Sequence, residues 1–323
     1  MTTLLVCDPV FAGHETPDGH PERTGRYGAV AAALADADFA GLVRLGPPRA
    51  TRETLERAHP QAYIDRICKA APAEGFAQLD PDTFMSEGTL EAALRAAGGA
   101  VAAVDAVFAG EAGNAFVACR PPGHHALSAR AMGFCLFNNA AVAAHHARAR
   151  HGADKIAVVD FDVHHGNGTE AIFWNDENAF FASSHEFPQY PGTGRESDRG
   201  AFDNILNAPL PTGSAGESFR RVWGERLLPA LSDFGPDFIV ISAGFDAHRD
   251  DPLGGLGLVE EDFAWATREI AAVAAAACGG RLVSVLEGGY DLQALGRSAA
   301  AHVRALMAAA ETGHTGRAFE GRQ

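Results

Sequence analysis

The stretch Ile156-Ala-Val-Val-Asp160-Phe-Asp162-Val-His164-His165-Gly-Asn167-Gly-Thr169 decides how this chain is read. Its first four residues form a short apolar run bounded by polar ones, the pattern of a buried strand. Side chains alternate along a strand, so extended geometry carries Asp160, Asp162 and His164 out on one face. An aspartate and a histidine two residues apart on one face can both ligate a divalent metal such as Zn²⁺. Gly166-Asn167-Gly168 then turns the chain sharply, letting the backbone pass close to whatever sits there. Three carboxylate or imidazole groups at the end of an apolar strand are costly to desolvate unless a metal or partner offsets the loss. A buried ion-pair network is the metal-free alternative.

Working outward, the same strand-then-loop pattern recurs. Apolar runs at Thr3–Cys7, Ala115–Cys119, Phe238–Ile241 and Leu282–Leu286 read as further strands, and Leu90 to Phe108 reads as a helix. Continuous apolar strands alternating with Ala-rich helical stretches indicate a parallel sheet covered on both faces. After Cys119 comes Arg120-Pro-Pro-Gly-His124-His125; after Ile241 comes Ser242-Ala-Gly-Phe-Asp246; after Leu286 comes Glu287-Gly-Gly-Tyr290. Open α/β sheets bind ligands outside the carboxyl ends of their strands, so four polar, Gly-containing loops at that edge converge on a site. No Pro-, Gly- or Ser-rich linker divides the chain. A single domain over residues 1–310 is expected, with a polar tail over 311–323.

Composition narrows the function. The 323 residues carry 26 basic and 41 acidic side chains, a formal charge of −15, which argues against tight binding to a phosphate backbone. The five cysteines are odd in number, widely spaced and without a CxxC, as expected in a reducing compartment. No stretch of about 18 uninterrupted apolar residues suggests a membrane span. A cytoplasmic protein without direct membrane or nucleic-acid partners is expected.

The converging residues suit hydrolysis. Asp162, His164 and Asp246 make a three-ligand set that leaves positions open for water and substrate; the alternative for Asp246 is a helix cap or turn. His165 points away from His164 in a strand and is expected to bond locally. His124 and His125 are adjacent, an unusual spacing for two ligands of one metal but a suitable one for acid–base work. Asp160 and Asn167 are the available partners to fix their tautomers. Tyr290, after two glycines, can bond a developing oxyanion. Phe134 and Tyr190 are candidates for the wall of an aromatic channel, with ordinary core packing as the alternative.

Together the segments Arg120–Ala126 (RPPGHHA), Met132–Asn139 (MGFCLFNN), Asp160–Thr169, Tyr190–Gly194 (YPGTG), Ser242–Asp246 (SAGFD) and Glu287–Tyr290 (EGGY) resemble the zinc-dependent histone deacetylase superfamily, which also includes acetylpolyamine amidohydrolases and bacterial histone deacetylase-like amidohydrolases. His20-Pro-Glu-Arg23 fits its N-terminal region. The resemblance implies a three-layer α/β/α arginase–deacetylase fold with a central, mainly parallel sheet. It implies zinc held by Asp162, His164 and Asp246, and His124 and His125 as the acid–base pair, with His125 as proton shuttle. Tyr290 would polarise the amide carbonyl, and Asp160 and Asn167 would partner the histidines; Asn167 looks like the class II pattern, because class I members carry Asp there. It further implies a potassium ion near Asp160, Asp162, His164 and Ser183, and Arg23 beside an internal cavity for acetate.

Leu253 falls where the family places a residue at the channel mouth, and an apolar rim suits the stem of an acyl-lysine. His248 and Arg249 in the same stretch are candidates for altering access, and Glu186 for an acidic contact that would favour an acetylated polyamine. The expected activity is removal of an acyl group, acetyl foremost, from a lysine side chain. A catalytically silent reader would have lost Tyr290, a ligand or the His pair, and none is lost. A two-metal hydrolase of the arginase type would need bridging carboxylates near His124 and His125, where the sequence has none.

Overall fold

The computed structural model describes the backbone of residues 1–320 and the side chains of residues 1–312. Most of the tail expected over 311–323 lies outside the described side chains, and the last helix is bounded by Leu292–Glu320. Among the described residues, ten strands occur in chain order: β1 (Thr3–Val6), β2 (Val43–Arg44), β3 (Ala77–Asp80), β4 (Thr83–Met85), β5 (Asn114–Val117), β6 (Ile156–Asp160), β7 (Ala179–Glu186), β8 (Ile205–Leu210), β9 (Phe238–Ala243) and β10 (Leu282–Leu286). Eight of them pair in the order β2-β1-β5-β10-β9-β6-β7-β8, and every pairing is parallel. β3 and β4 form a separate antiparallel hairpin.

The alternation of side chains builds two cores. Along β6, Ile156 and Val158 pack on the side of the helices Thr89–Phe108 and Asn139–His151. Ala157 and Val159 pack on the opposite side, with the helices Glu260–Cys278 and Leu292–Glu320. Because both faces are covered, both sets of positions must be apolar, which explains the unbroken apolar runs in the central strands. The helix Asn139–His151 shows how local sequence sets its ends. Asn138 accepts from Ala141 N–H at 2.9 Å as its cap, and Gly152 ends it in the left-handed region.

Besides the two-residue β2 and the β3–β4 hairpin, two longer strands escape the sequence pattern. β7 begins Ala-Phe-Phe-Ala but ends Ser-Ser-His-Glu, yet all eight residues are buried. β8 contains Pro209 and lies at the sheet edge, where a missing N–H is tolerated. No helix among the described residues is long and apolar enough to cross a membrane.

Candidate active site

β6 ends at Asp160, so extended geometry does not carry the next residues outward as expected. The chain instead curls through two successive side-chain turns. Asp162 N–H donates to Asp160 Oδ1 at 3.0 Å, and His164 N–H donates to Asp162 Oδ1 at 2.9 Å. This curl brings Asp162 and His164 together beyond the strand, where the loop after β9 delivers Asp246.

His164 Nδ1 lies 3.1 Å from Asp162 Oδ1 and 3.1 Å from Asp246 Oδ2, and all three side chains are buried. One ligand atom from each lies within 4.8 Å of the others. Ligands at tetrahedral zinc distances stand roughly 3.3 Å apart, and the two imidazole–carboxylate separations match that spacing. The backbone is shaped to the carboxylates: Gly288 N–H donates to Asp162 Oδ2 at 2.8 Å, and a Cβ on Gly288 would meet Asp246 Oδ2 at 2.0 Å. Asp246 accepts from Val163 N–H at 2.8 Å across the two loops, so it is not a helix cap. Burial opposes a charge on His164, but its bonds to Asp162 and Asp246 raise its pKa to about 10. Burial and the Asp162 charge push Asp246 up to about 7. Two buried carboxylates pressed together in this way need a cation between them, whether a proton or a metal.

His124 and His125 stand with ring centroids 4.0 Å apart on the loop after β5. His124 Nδ1 lies 2.9 Å from Asp160 Oδ2, and His125 Nδ1 lies 2.8 Å from Asn167 Oδ1. Their environments drive them apart. Burial disfavours charge on both, but Asp162 and Asp160 raise His124 to about 10. Burial and the neighbouring His124 and His164 hold His125 well below the usual imidazole range. Glu287 secures the loop from behind, accepting from Gly123 N–H at 2.6 Å and His124 N–H at 3.1 Å.

These groups open onto a cavity of about 190 Å³ lined by His125, His164, Tyr290, Phe134, Tyr190 and Leu253, with Asp82, Gly133 and Gln189 completing its wall. Phe134 has φ +68, a conformation uncommon for a residue with a side chain, and meets Tyr290 edge-on at 5.8 Å. Tyr190 meets His125 at 5.1 Å. Burial pushes the Tyr290 hydroxyl well above its usual pKa, so it stays a proton donor.

Other expected residues fall elsewhere. Arg23 is exposed. The buried arginine is Arg26, whose guanidinium lies 5.0 Å from the Tyr290 ring centroid and pairs with Glu22 at 2.9 Å. Arg26 lies in the first turn of the helix Gly25–Ala33 and faces inward onto Glu22, whereas Arg23 precedes that helix on the exposed segment leading into it. Glu22 also binds Arg120 and His14, which hold its carboxyl well below the usual range despite burial. Glu186 faces away from the cavity, accepting from Thr212 Oγ1 at 2.5 Å and Gly255 N–H at 2.6 Å. His248 is buried and Arg249 exposed, and neither lines the cavity. His165 bonds Thr193 Oγ1 at 2.8 Å and Glu170 at 3.0 Å, the local role expected of it. Ser183 sits opposite Asp160 in the β6–β7 register. Arg26 and Asp82 do not stand out in the sequence, whereas Glu22 and Glu287 lie inside the HPER and EGGY segments with no role attached to them; the Glu22/Arg26 spacing of four is the available signal for Arg26.

A second group, Asp105, His146 and His151, also has ligand-type side chains close together. Both imidazoles approach the same Asp105 oxygen, at 2.7 and 2.6 Å, which is hydrogen-bond rather than metal-ligand spacing. Arg57 Nη1 lies 2.6 Å from His146 Nδ1. That contact makes Nδ1 an acceptor and leaves the proton on Nε2, where a metal would bind.

The histone deacetylase domain family matches residues 20–306. The chain is 45% identical over 298 residues to the histone deacetylase-like amidohydrolase of Pseudomonas aeruginosa, covering 88% of this chain and 75% of that one. It is 39% identical over 324 residues to the chloroplastic histone deacetylase 14 of Arabidopsis thaliana, covering 94% and 76%. The crystal structure of the HDA15 HD domain superposes with a TM-score of 0.90 at 34% identity, over 95% of this chain and 89% of that one. The parallel eight-stranded sheet between helical layers is thus the arginase–deacetylase fold that the motifs imply.

Proposed function

Because the chain belongs to the histone deacetylase domain family, we propose that it is a zinc-dependent deacetylase hydrolysing the acyl amide of Nε-acetyl-lysine in proteins or peptides. The carrying observation is that one cavity touches His164 of the ligand cluster, His125 of the imidazole pair and Tyr290 together. Asp162, His164 and Asp246 would hold the zinc, which when bound supplies Lewis-acid polarisation of a carbonyl and makes a water more acidic.

The protein's own groups divide the remaining work. His125, kept neutral and oriented by Asn167, takes the proton from the attacking water and passes it to the departing amine as the C–N bond breaks. His124, cationic beside Asp160, keeps positive charge next to the reacting centre. The Tyr290 hydroxyl donates to the carbonyl oxygen as negative charge develops on it. Phe134, Tyr190 and Leu253 enclose the aliphatic stem of the substrate and exclude water. Arg26, rather than Arg23, is the buried cation at the inner end, behind Tyr290, where acetate would leave. A potassium ion held mainly by backbone oxygens near Asp160, Asp162, His164 and Ser183 belongs to the same reading. The odd number and wide spacing of the five cysteines support a reducing, cytoplasmic setting.

Deacetylation of acetylpolyamines is the second reading, and Asp82 in the cavity wall favours it as an acidic contact for a cationic chain. Acetate release from acetyl-lysine peptides and from acetylspermidine-type amines, compared as kcat/KM on zinc-loaded protein, decides between them. Unchanged turnover in Tyr290→Phe and His125→Ala would overturn the roles of both residues.

A further inference from the structure

Asp251 does not line the cavity, yet it grips two of the cavity's walls. It is buried, and its Oδ1 accepts from Leu253 N–H at 3.0 Å, a local bend that many aspartates make. Its Oδ2 does something a bend does not require. It accepts from Tyr290 N–H at 2.6 Å and Asp291 N–H at 3.2 Å, groups 39 and 40 residues further along the chain. Among the described residues no arginine or lysine forms an ion pair with Asp251, so these backbone donors are what satisfy its charge. Hydrogen bonds to an ionised acceptor are the stronger kind, and a buried carboxylate cannot give them up cheaply.

The Tyr290 loop needs such a hold. Gly289, just before it, has φ +124, a conformation that side-chain-bearing residues rarely adopt. Arg26 steadies one side of this swivel by donating to Gly289 O at 2.6 Å and to Glu287 O. Nothing in Arg26's contacts fixes the backbone N–H of Tyr290 itself; Asp251 does.

We propose that Asp251 is the positioning residue for the Tyr290 phenol, locking the loop that carries it to the loop that carries Leu253. The catalytic consequence rests on the deacetylase reading, whereas the positioning itself does not. Asparagine offers one acceptor oxygen and one donor amide, so Asp251→Asn must turn a donor against one of the two loops. Whichever loop meets the amide, the link between the two loops is broken and the ring loses its fixed aim at the carbonyl oxygen, while the metal ligands and the imidazole pair stay in place.

The test uses full-length, zinc-loaded protein carrying 3-fluorotyrosine at its four tyrosines, with the Tyr290 fluorine resonance assigned through Tyr290→Phe. In Asp251→Asn the Tyr290 resonance is expected to shift or broaden, while that of Tyr63, held by Leu136 O at 2.5 Å, stays. Turnover of an acetyl-lysine peptide should fall by about tenfold to a hundredfold in kcat. KM should change by less than about threefold, because the binding walls persist. In a Tyr290→Phe background the same change should cost less than about twofold. An unmoved Tyr290 resonance, or a kcat loss undiminished in the Tyr290→Phe background, overturns the proposal. Wild type that releases no acetate from any acyl amine overturns the deacetylase reading instead, and the fluorine signal still decides the role of Asp251. Should Asp251→Asn not fold, Asp251→Glu, which moves the charge by one methylene, is read by the same signals.

Discussion

His125 Nδ1 lies 2.8 Å from Asn167 Oδ1, a neutral acceptor, whereas its neighbour His124 faces the carboxylate of Asp160. This difference in partner, together with the repulsion of His124 and His164, keeps His125 neutral where its neighbour is charged. Asn167→Asp would replace the neutral acceptor with an anion and favour the imidazolium form of His125. The acid limb of the kcat/KM profile should move to higher pH by about one unit or more. A limb that stays in place would remove His125 as the base.

Metal-free protein should lose stability as pH rises. His124 and His164 are both raised from 6.5 to about 10, so the folded state binds protons that the unfolded chain releases. Their stabilising contribution is complete below pH 6.5 and is lost as pH climbs through about 10. The thermal midpoint of chelator-treated protein should fall across that window. Zinc competes with the His164 proton, so the rise in midpoint on adding zinc should grow over the same range. A metal-free midpoint that rises with pH would contradict this.

Gly288→Ala should weaken metal binding without unfolding the chain. Its Cβ would stand 2.0 Å from Asp246 Oδ2 and 2.6 Å from Asp162 Oδ2, forcing both ligand carboxylates aside. Zinc affinity, measured by competition with a chromophoric chelator, should drop by about tenfold to a hundredfold or more. Affinity equal to wild type would mean that the ion is not held there.

Glu22→Gln should be severely destabilising. Glu22 is the shared carboxylate for Arg26 and Arg120, both fully buried, and for His14. Its neutralisation leaves two guanidinium charges without an anion, at a cost of about 3–5 kcal/mol. Urea unfolding of metal-loaded protein checks this, and a loss below about 1 kcal/mol would contradict it.

The central strands were legible because they are buried on both faces and so read as unbroken apolar runs. β7 was not, because its second half places Ser183, Ser184, His185 and Glu186 in polar interactions inside the protein, and β8 was hidden by Pro209. The convergence of Asp162, His164 and Asp246 follows from where the loops emerge, which strand order dictates. Its local route did not follow, since side-chain turns rather than a continued strand align Asp162 with His164. Arg23 and Arg26 stand three residues apart, one exposed ahead of the helix Gly25–Ala33 and the other buried in its first turn, a distinction that a short motif does not carry. Asp251 was invisible for a different reason: two of its three partners lie 39 and 40 residues away, and every contact is to backbone, which leaves no mark on residue type.

Anomalous diffraction at the zinc edge, on crystals of zinc-loaded protein, tests the central claim most directly. One strong peak is expected per chain, within bonding distance of Asp162 and Asp246 carboxylate oxygens and of His164 Nδ1, facing Tyr290 across the cavity. A chain with no peak there, or with its zinc at Asp105, His146 and His151 instead, would contradict the assignment.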